Sequence, residues 1–157
     1  SDVCSSDLYN SRNYEFSSLE PTYAIGLVSK KIGVSPETLR LYERKGLLLP
    51  YRTKTGRRLF SQTDVEWLSC IRKLILHDKL NLAGISRLLA LIPCWDIKPC
   101  TEEERRNCPA YLSKDQVCWQ ILETSQDCKD ATCRDCDVYL SSKNIADLKL
   151  HYKLKQK

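Results

Sequence analysis

Long hydrophobic runs are missing from this chain, and that excludes a membrane-spanning helix, which needs about 18 or more consecutive apolar residues. The first residues are acidic and serine-rich without an apolar stretch, so no secretory leader is expected and the expected compartment is the cytoplasm. Histidine is nearly missing: His77 and His151 are the only two, and neither stands in a recognised motif with a nucleophile. Glycine is scarce at five residues, and no glycine-rich loop is present to cradle a phosphate. With no catalytic constellation, an enzyme is not expected.

Cysteine is the opposite case. There are nine, and seven of them fall between Cys94 and Cys136. In a cytoplasmic chain such clustering reads as metal binding or redox chemistry sooner than as a disulfide framework. Cys4 lies in the N-terminal tail. Cys70 lies on a helix, where a small, often buried residue serves packing. At 157 residues the chain fits one domain, or one domain plus a small module, and 42% hydrophobic content suffices for a modest core.

Charge is unevenly placed. The net value is +5, but residues 1–22 carry −3, residues 23–93 carry +8, residues 94–140 carry −4 and residues 141–157 carry +4. A cationic segment of that size is the electrostatic footprint of a phosphate-binding surface, and the acidic segment after it has a different task.

The cationic segment has an internal order. Ala24, Ile25, Leu27, Val28 and Ile32 make the apolar face of a first helix, and Gly33 ends it. Ser35 is a good N-cap, Pro36 suits the first helical position, and Glu37 suits the positive end of the helix dipole. Leu39, Tyr42 and Glu43 come next at helical spacing until Gly46. This is a helix-turn-helix with residues 36–45 as the recognition helix, and Thr38, Arg40, Leu41, Arg44 and Lys45 spread over its outer surface. Next, Leu47 to Leu49 and Leu59–Phe60 read as two strands around a turn at Gly56. Arg52, Lys54, Arg57 and Arg58 on that hairpin can lie along phosphates beside the groove.

Ile25–Gly26, Gly33-Val34-Ser35, Glu37-Thr38-Leu39-Arg40, Tyr42-Glu43-Arg44, Gly46-Leu47-Leu48, Pro50, Gly56-Arg57-Arg58, Phe60 and Asp64-Val65 resemble, in order and spacing, the DNA-binding domain of MerR-family transcription regulators. The resemblance runs from about Tyr23 to Leu91. It implies a homodimer on a near-palindromic double-stranded DNA operator between promoter elements, with an effector bound C-terminally deciding whether RNA polymerase can use the distorted DNA. It also implies groove contacts around Thr38 and Arg40, and phosphate contacts from Tyr42, Arg57 and Arg58. Two positions depart from the family pattern: Leu41 stands where an aromatic residue is usual, and Lys79 where glycine usually precedes the fourth helix.

Beyond the hairpin, Ser61 caps a helix to about His77, with Val65, Leu68, Ile71, Leu74 and Ile75 on its apolar stripe. A fourth helix over residues 80–92 buries Leu82, Ile85, Leu88, Leu89 and Ile92, and Pro93 stops it. Gly84 inside it costs about 1 kcal/mol against alanine, so a close contact is expected there. Pro93, Pro99 and Pro109 break the start of the cysteine-rich stretch. Helices can start near Ser113, with Val117, Ile121 and Leu122, and near Ser141, with Ile145, Leu148 and Tyr152; the first, with the cysteine module, is favoured for the dimer contact.

The candidate metal ligands are Cys94, Cys100, Cys108, Cys118, Cys128, Cys133 and Cys136. Cys133 and Cys136, with two residues between them, form a chelate loop. Seven thiols with almost no histidine suit an iron–sulfur cluster of the 4Fe-4S type, which takes four thiolates, better than zinc, which favours ligands in fours, often with histidine. Zinc, a thiol–disulfide switch and soft-metal sensing remain alternatives. Trp95, Trp119, Tyr111 and Tyr139 would shield such a centre. Cys94-Trp95, Cys100, Cys108-Pro109-Ala110-Tyr111, Cys118-Trp119, Cys128 and Cys133 to Tyr139 also resemble a small domain with two Cys-Trp pairs found fused to bacterial sensors, which implies sensing and leaves the cofactor unnamed.

The expected architecture is mainly α: a disordered arm at 1–22, a winged helix-turn-helix with a small hairpin wing at 23–92, a metal-stabilised cysteine-rich module at 93–140, and a C-terminal helix or tail at 141–157. The expected function is a dimeric DNA-binding regulator sensing redox, oxygen or metal state through an iron–sulfur cluster. A zinc–thiolate regulator, constitutive or metal-responsive, is one alternative. An iron–sulfur electron-transfer protein is another, against which the +8 segment speaks.

Overall fold

Short, well-capped helices succeed one another from local signals that can each be traced. The computed structural model describes residues 16–98, 100–121, 124, 128 and 132–143. A first turn of helix, α1 (Phe16–Leu19), leads through strand β1 (Tyr23–Ala24) into α2 (Ile25–Ile32). Gly33 closes α2 in the left-handed region at φ 75°. Helix α3 (Pro36–Arg44) begins on Ser35, whose Oγ accepts from the Thr38 amide at 3.1 Å. The α2–turn–α3 unit is therefore the helix-turn-helix expected.

Helix α4 (Gln62–Leu76) carries a full capping box. Asp64 N–H donates to Ser61 Oγ at 3.1 Å, and Ser61 N–H donates to Asp64 Oδ2 at 2.8 Å. Helix α5 (Leu82–Ala90) starts later than residue 80, because Asn81 Oδ1 accepts from the Gly84 amide at 2.7 Å and sets the start. A Cβ on Gly84 would stand 3.2 Å from that same oxygen, which is the close contact the helix needs. Lys79, where the family resemblance puts glycine, has φ 58°, so this backbone turn keeps its left-handed form with a lysine in it.

The wing differs from expectation in register. Its strands are β2 (Tyr51–Arg52) and β3 (Arg58–Phe60), and β1 adds a third strand in the order β1-β3-β2. The run Leu47 to Leu49 is not a strand. Leu47 and Leu48 are fully buried, and the Leu47 carbonyl accepts from Trp67 Nε1 at 2.7 Å. Side chains take up backbone groups that a strand would have paired.

Residues 16–22, expected within a disordered arm, are docked. Thr63 Oγ1 donates to the Ser18 carbonyl at 2.9 Å, and Thr22 N–H donates to the Phe60 carbonyl at 3.0 Å. The rest of that arm, residues 1–15, lies outside the described residues.

The core gathers Val28, Leu39, Tyr42, Phe60, Trp67, Leu68, Ile71, Ile85 and Leu89. Leu27, expected on the buried side of α2, is 46% exposed. Val117 and Val138, from the cysteine-rich part, belong to the same buried cluster. The expected boundary at residue 93 is thus not a break in the core.

That second part consists of brief turns: α6 (Cys94–Ile97), α7 (Glu102–Arg106), α8 (Pro109–Leu112), 3-10 turns at Cys118–Gln120 and Cys133–Asp135, and α9 (Asp137–Ser142). The helix expected from Ser113 does not form. Ser113 Oγ instead accepts from the Gln116 amide, and the chain bends into the 118–120 turn with Val117 buried at its start. The helix expected from Ser141 through Tyr152 falls mostly outside the described residues. Among the described residues, no helix is long and apolar enough to cross a membrane.

Candidate functional site

Two features lie side by side: a cationic helix-and-wing surface, and a cavity ringed by thiols.

On the first, α3 buries Leu39 and Tyr42 and turns Arg44 and Lys45 outward. Thr38 is half-buried, with its hydroxyl 2.9 Å from Ser35 Oγ, and Arg40 pairs with Glu37 one turn back. Tyr42 is only 3% exposed; burial pushes its hydroxyl up, and Arg72 beside it pulls it back. The ring is therefore a core element.

The wing cations divide into two kinds. Lys54 and Arg57 are exposed at the hairpin. Arg52 and Arg58 turn back to Glu43 of α3, at 2.8 and 2.5 Å. Burial alone would push the Glu43 carboxyl up, but the hydrogen bonds and charges of Arg58 and Arg52 outweigh it and hold the group below its ordinary value. These two arginines fix the wing against the recognition helix; Arg57 is the one aimed at solvent.

On the second, all seven candidate ligands are free cysteines, and all seven line one cavity of about 50 Å³. Cys94, Cys100 and Cys108 reach it from around α6 to α8, Cys118 from its 3-10 turn, Cys133 and Cys136 from the ends of theirs, and Cys128 joins them. Cys70, by contrast, is buried in α4 within the apolar core.

Aromatic rings form part of the cavity wall. Tyr111, Trp119 and Tyr139 line it. Trp95 meets Tyr111 edge-to-face at 5.2 Å, and Trp119 meets Tyr139 likewise at 5.1 Å. In these surroundings the protonated form of Cys94 and Cys118 is favoured. Burial, with neighbouring cysteines adding to it, pushes Cys94 up to about 11 and Cys118 up to about 12. Burial and its cysteine neighbours also push Cys133 up, and Lys98 on the cavity wall pulls it back.

Sequence reasoning gave Trp119 and Tyr139 only a shielding role and Gln120, Arg134 and Lys143 none, whereas these side chains join the two features. Trp119 Nε1 donates to the Gly46 carbonyl at 2.8 Å, and Gln120 Nε2 to the Arg44 carbonyl at 2.9 Å. The Leu49 amide donates to Tyr139 Oη at 2.7 Å, and Arg134 donates to the Leu49 carbonyl. Arg134 and Lys143 also pair with the fully buried Asp64, at 2.7 and 3.1 Å. Burial would push the Asp64 carboxyl up, yet Lys143 and Arg134 outweigh it and hold it below the ordinary carboxylate range. The available signal was the charged pair Arg134 and Asp135 placed inside the Cys133–Cys136 chelate loop.

Residues 23–92 match the MerR HTH family of regulatory proteins. The chain is 38% identical over 78 residues to the putative heat shock protein HspR of Streptomyces coelicolor, covering 50% of this chain and 52% of that one. It is 42% identical over 71 residues to the HTH-type transcriptional regulator GlnR of Bacillus anthracis, covering 45% and 54%. The chain thus spans about half the length of those curated relatives. An uncharacterized HTH-type transcriptional regulator of Haemophilus influenzae is 35% identical over 103 residues, covering 65% of this chain and 73% of that protein. On this likeness in sequence, and on the helix-turn-helix with its wing, the chain belongs to the MerR HTH family of regulators and not to a family of enzymes.

Proposed function

We propose that the chain is a cytoplasmic, homodimeric transcription regulator that binds double-stranded operator DNA within reach of RNA polymerase, and that its thiol-lined cavity holds an iron–sulfur cluster reporting redox, oxygen or metal state. The observation that carries the sensing half is the convergence of seven thiols, spread from position 94 to 136, on one cavity.

The donor set fits the group. About 50 Å³ is several times the ~10–15 Å³ that one water needs, so the space suits a polyatomic group. Cys118, Cys133 and Cys136 with Cys94 or Cys128 would supply thiolates, giving up protons on binding. Trp119, Tyr111 and Tyr139 would exclude water. A bound cluster would supply one-electron redox chemistry.

The DNA-binding half rests on α3 and the wing. Arg44, Lys45, Lys54 and Arg57 form the exposed cationic set, Thr38 and Arg40 face the groove, and Arg52, Arg58 and Tyr42 support them from behind. The test is selection of genomic fragments by the chain kept anaerobic, then by the same chain stripped of metal. Enrichment of a near-palindromic site whose affinity differs between the two states is the expected result. No enrichment in either state contradicts the DNA half; equal enrichment contradicts the sensing half.

A further inference from the structure

The segment 44–49 joins the recognition helix to the wing, and four of its backbone groups are bonded by side chains of the cysteine-rich part: Arg44 O by Gln120, Gly46 O by Trp119, and Leu49 N and O by Tyr139 and Arg134. None of these four side chains is remote from the cavity. Trp119 and Tyr139 form part of its wall, Gln120 lies in the same 3-10 turn as Cys118, and Arg134 lies between Cys133 and Cys136.

We infer that the cavity acts on the DNA-reading surface within one subunit, by gripping the helix–wing junction at 44–49, so that filling or emptying it tightens or loosens the recognition helix against its own wing. This rests on the cavity being a cofactor site, and it locates the regulation of that site. A change in the angle between two subunits is not required.

The physical reason is that the junction is held from two sides: the amides of Lys45, Gly46 and Leu47 close α3 on the carbonyls of Leu41, Glu43 and Tyr42, while the carbonyls of Arg44, Gly46 and Leu49 and the amide of Leu49 take their bonds from the cysteine-rich part. Its backbone is not in a strand, and Gly46 sits in the left-handed region at φ 74°. Gln120 lies against it so closely that an added Cβ would meet Gln120 Cδ at 2.4 Å. From the domain's own side, Trp67 holds the Leu47 carbonyl, and Glu43 holds Arg52 and Arg58. The four side-chain bonds from the cysteine-rich part come from the turns at 118–120 and 133–135 and from α9 behind them, next to Cys118, Cys133 and Cys136. Thiols drawn onto a bound centre would fix those turns; thiols released would free them.

The experiment is amide hydrogen exchange on the full chain, reconstituted anaerobically with ferrous iron and sulfide and then stripped with a chelator. Peptides covering 44–50 are compared with those covering 25–32. In the wild type, stripping is expected to speed exchange at 44–50 by about 5- to 150-fold, the usual span of coupling between sites, and to leave 25–32 unchanged. Trp119→Phe, which keeps an aromatic ring and removes the donor to Gly46, and Arg134→Met should bring that ratio toward one at equal iron content. Unchanged exchange at 44–50, in a chain shown by metal analysis to have gained and lost iron, overturns the inference. A ratio unaltered in both variants overturns it too. A chain that takes up no iron or sulfide fails the cluster reading instead. The coupling is then read from Cys118→Ser/Cys136→Ser, which disturbs the cavity without any metal: faster exchange at 44–50 supports it, and unchanged exchange overturns it.

Discussion

Residues 23–92 and residues 93–143 are stabilised in different ways. The first part is held by its own secondary structure: capped helices, a three-stranded sheet and a shared apolar core. In the second, the longest described helix is α9, at six residues. Its buried side chains Val117 and Val138 complete the core of the first part, and its polar side chains complete the first part's hydrogen bonds. A segment with so little regular structure depends on the surface it leans on. Among the described residues the second part shows no core separate from the first, so a change in the shape of one is felt by the other.

The largest expected effect strikes the point where the parts meet. Asp64→Asn leaves Lys143 and Arg134 buried without their counter-charge and should cost about 3–5 kcal/mol, read by urea unfolding. Asp64 is held below its unfolded value, so its contribution is present above the ordinary carboxylate range and lost as pH falls through the folded value. The gap between wild type and variant should therefore narrow on acidification. A gap that widens would contradict the pairing.

Val117→Ala should cost about 1–3 kcal/mol, and the loss should appear in a single transition shared by both parts. A variant in which only the cysteine-rich part unfolds would show the two cores to be separate. Gly46→Ala should cost about 1–2 kcal/mol for the left-handed backbone. The smallest effect is on Arg57→Ala, which should leave stability unchanged and reduce the salt slope of DNA binding by about one. An unaltered slope would remove Arg57 from the phosphate contacts.

The same contrast governs what could be read from the sequence. Ser35, Gly33, Ser61 with Asp64, and Gly46 act within four residues of themselves, and each stands where its local chemistry puts it. The run Leu47 to Leu49 misled because hydrophobicity says "buried" without saying in which conformation; bonds from residues 67, 134 and 139 decide that. Val117 was legible as buried, but the helix drawn around it was not formed, since Cys118 must face the cavity and Trp119 and Gln120 the junction. The pairing of Asp64 with Arg134 and Lys143 spans 70 and 79 positions and leaves no local trace. The seven cysteines were legible as a set, and their meeting at one cavity required the fold.

The cluster reading is tested most directly by an anaerobic preparation of the full chain, with its visible absorption spectrum recorded and iron, zinc and acid-labile sulfide counted per chain. A brown protein with a broad visible band and iron and sulfide in equal amounts is the predicted result. A colourless protein carrying zinc and no sulfide would contradict it.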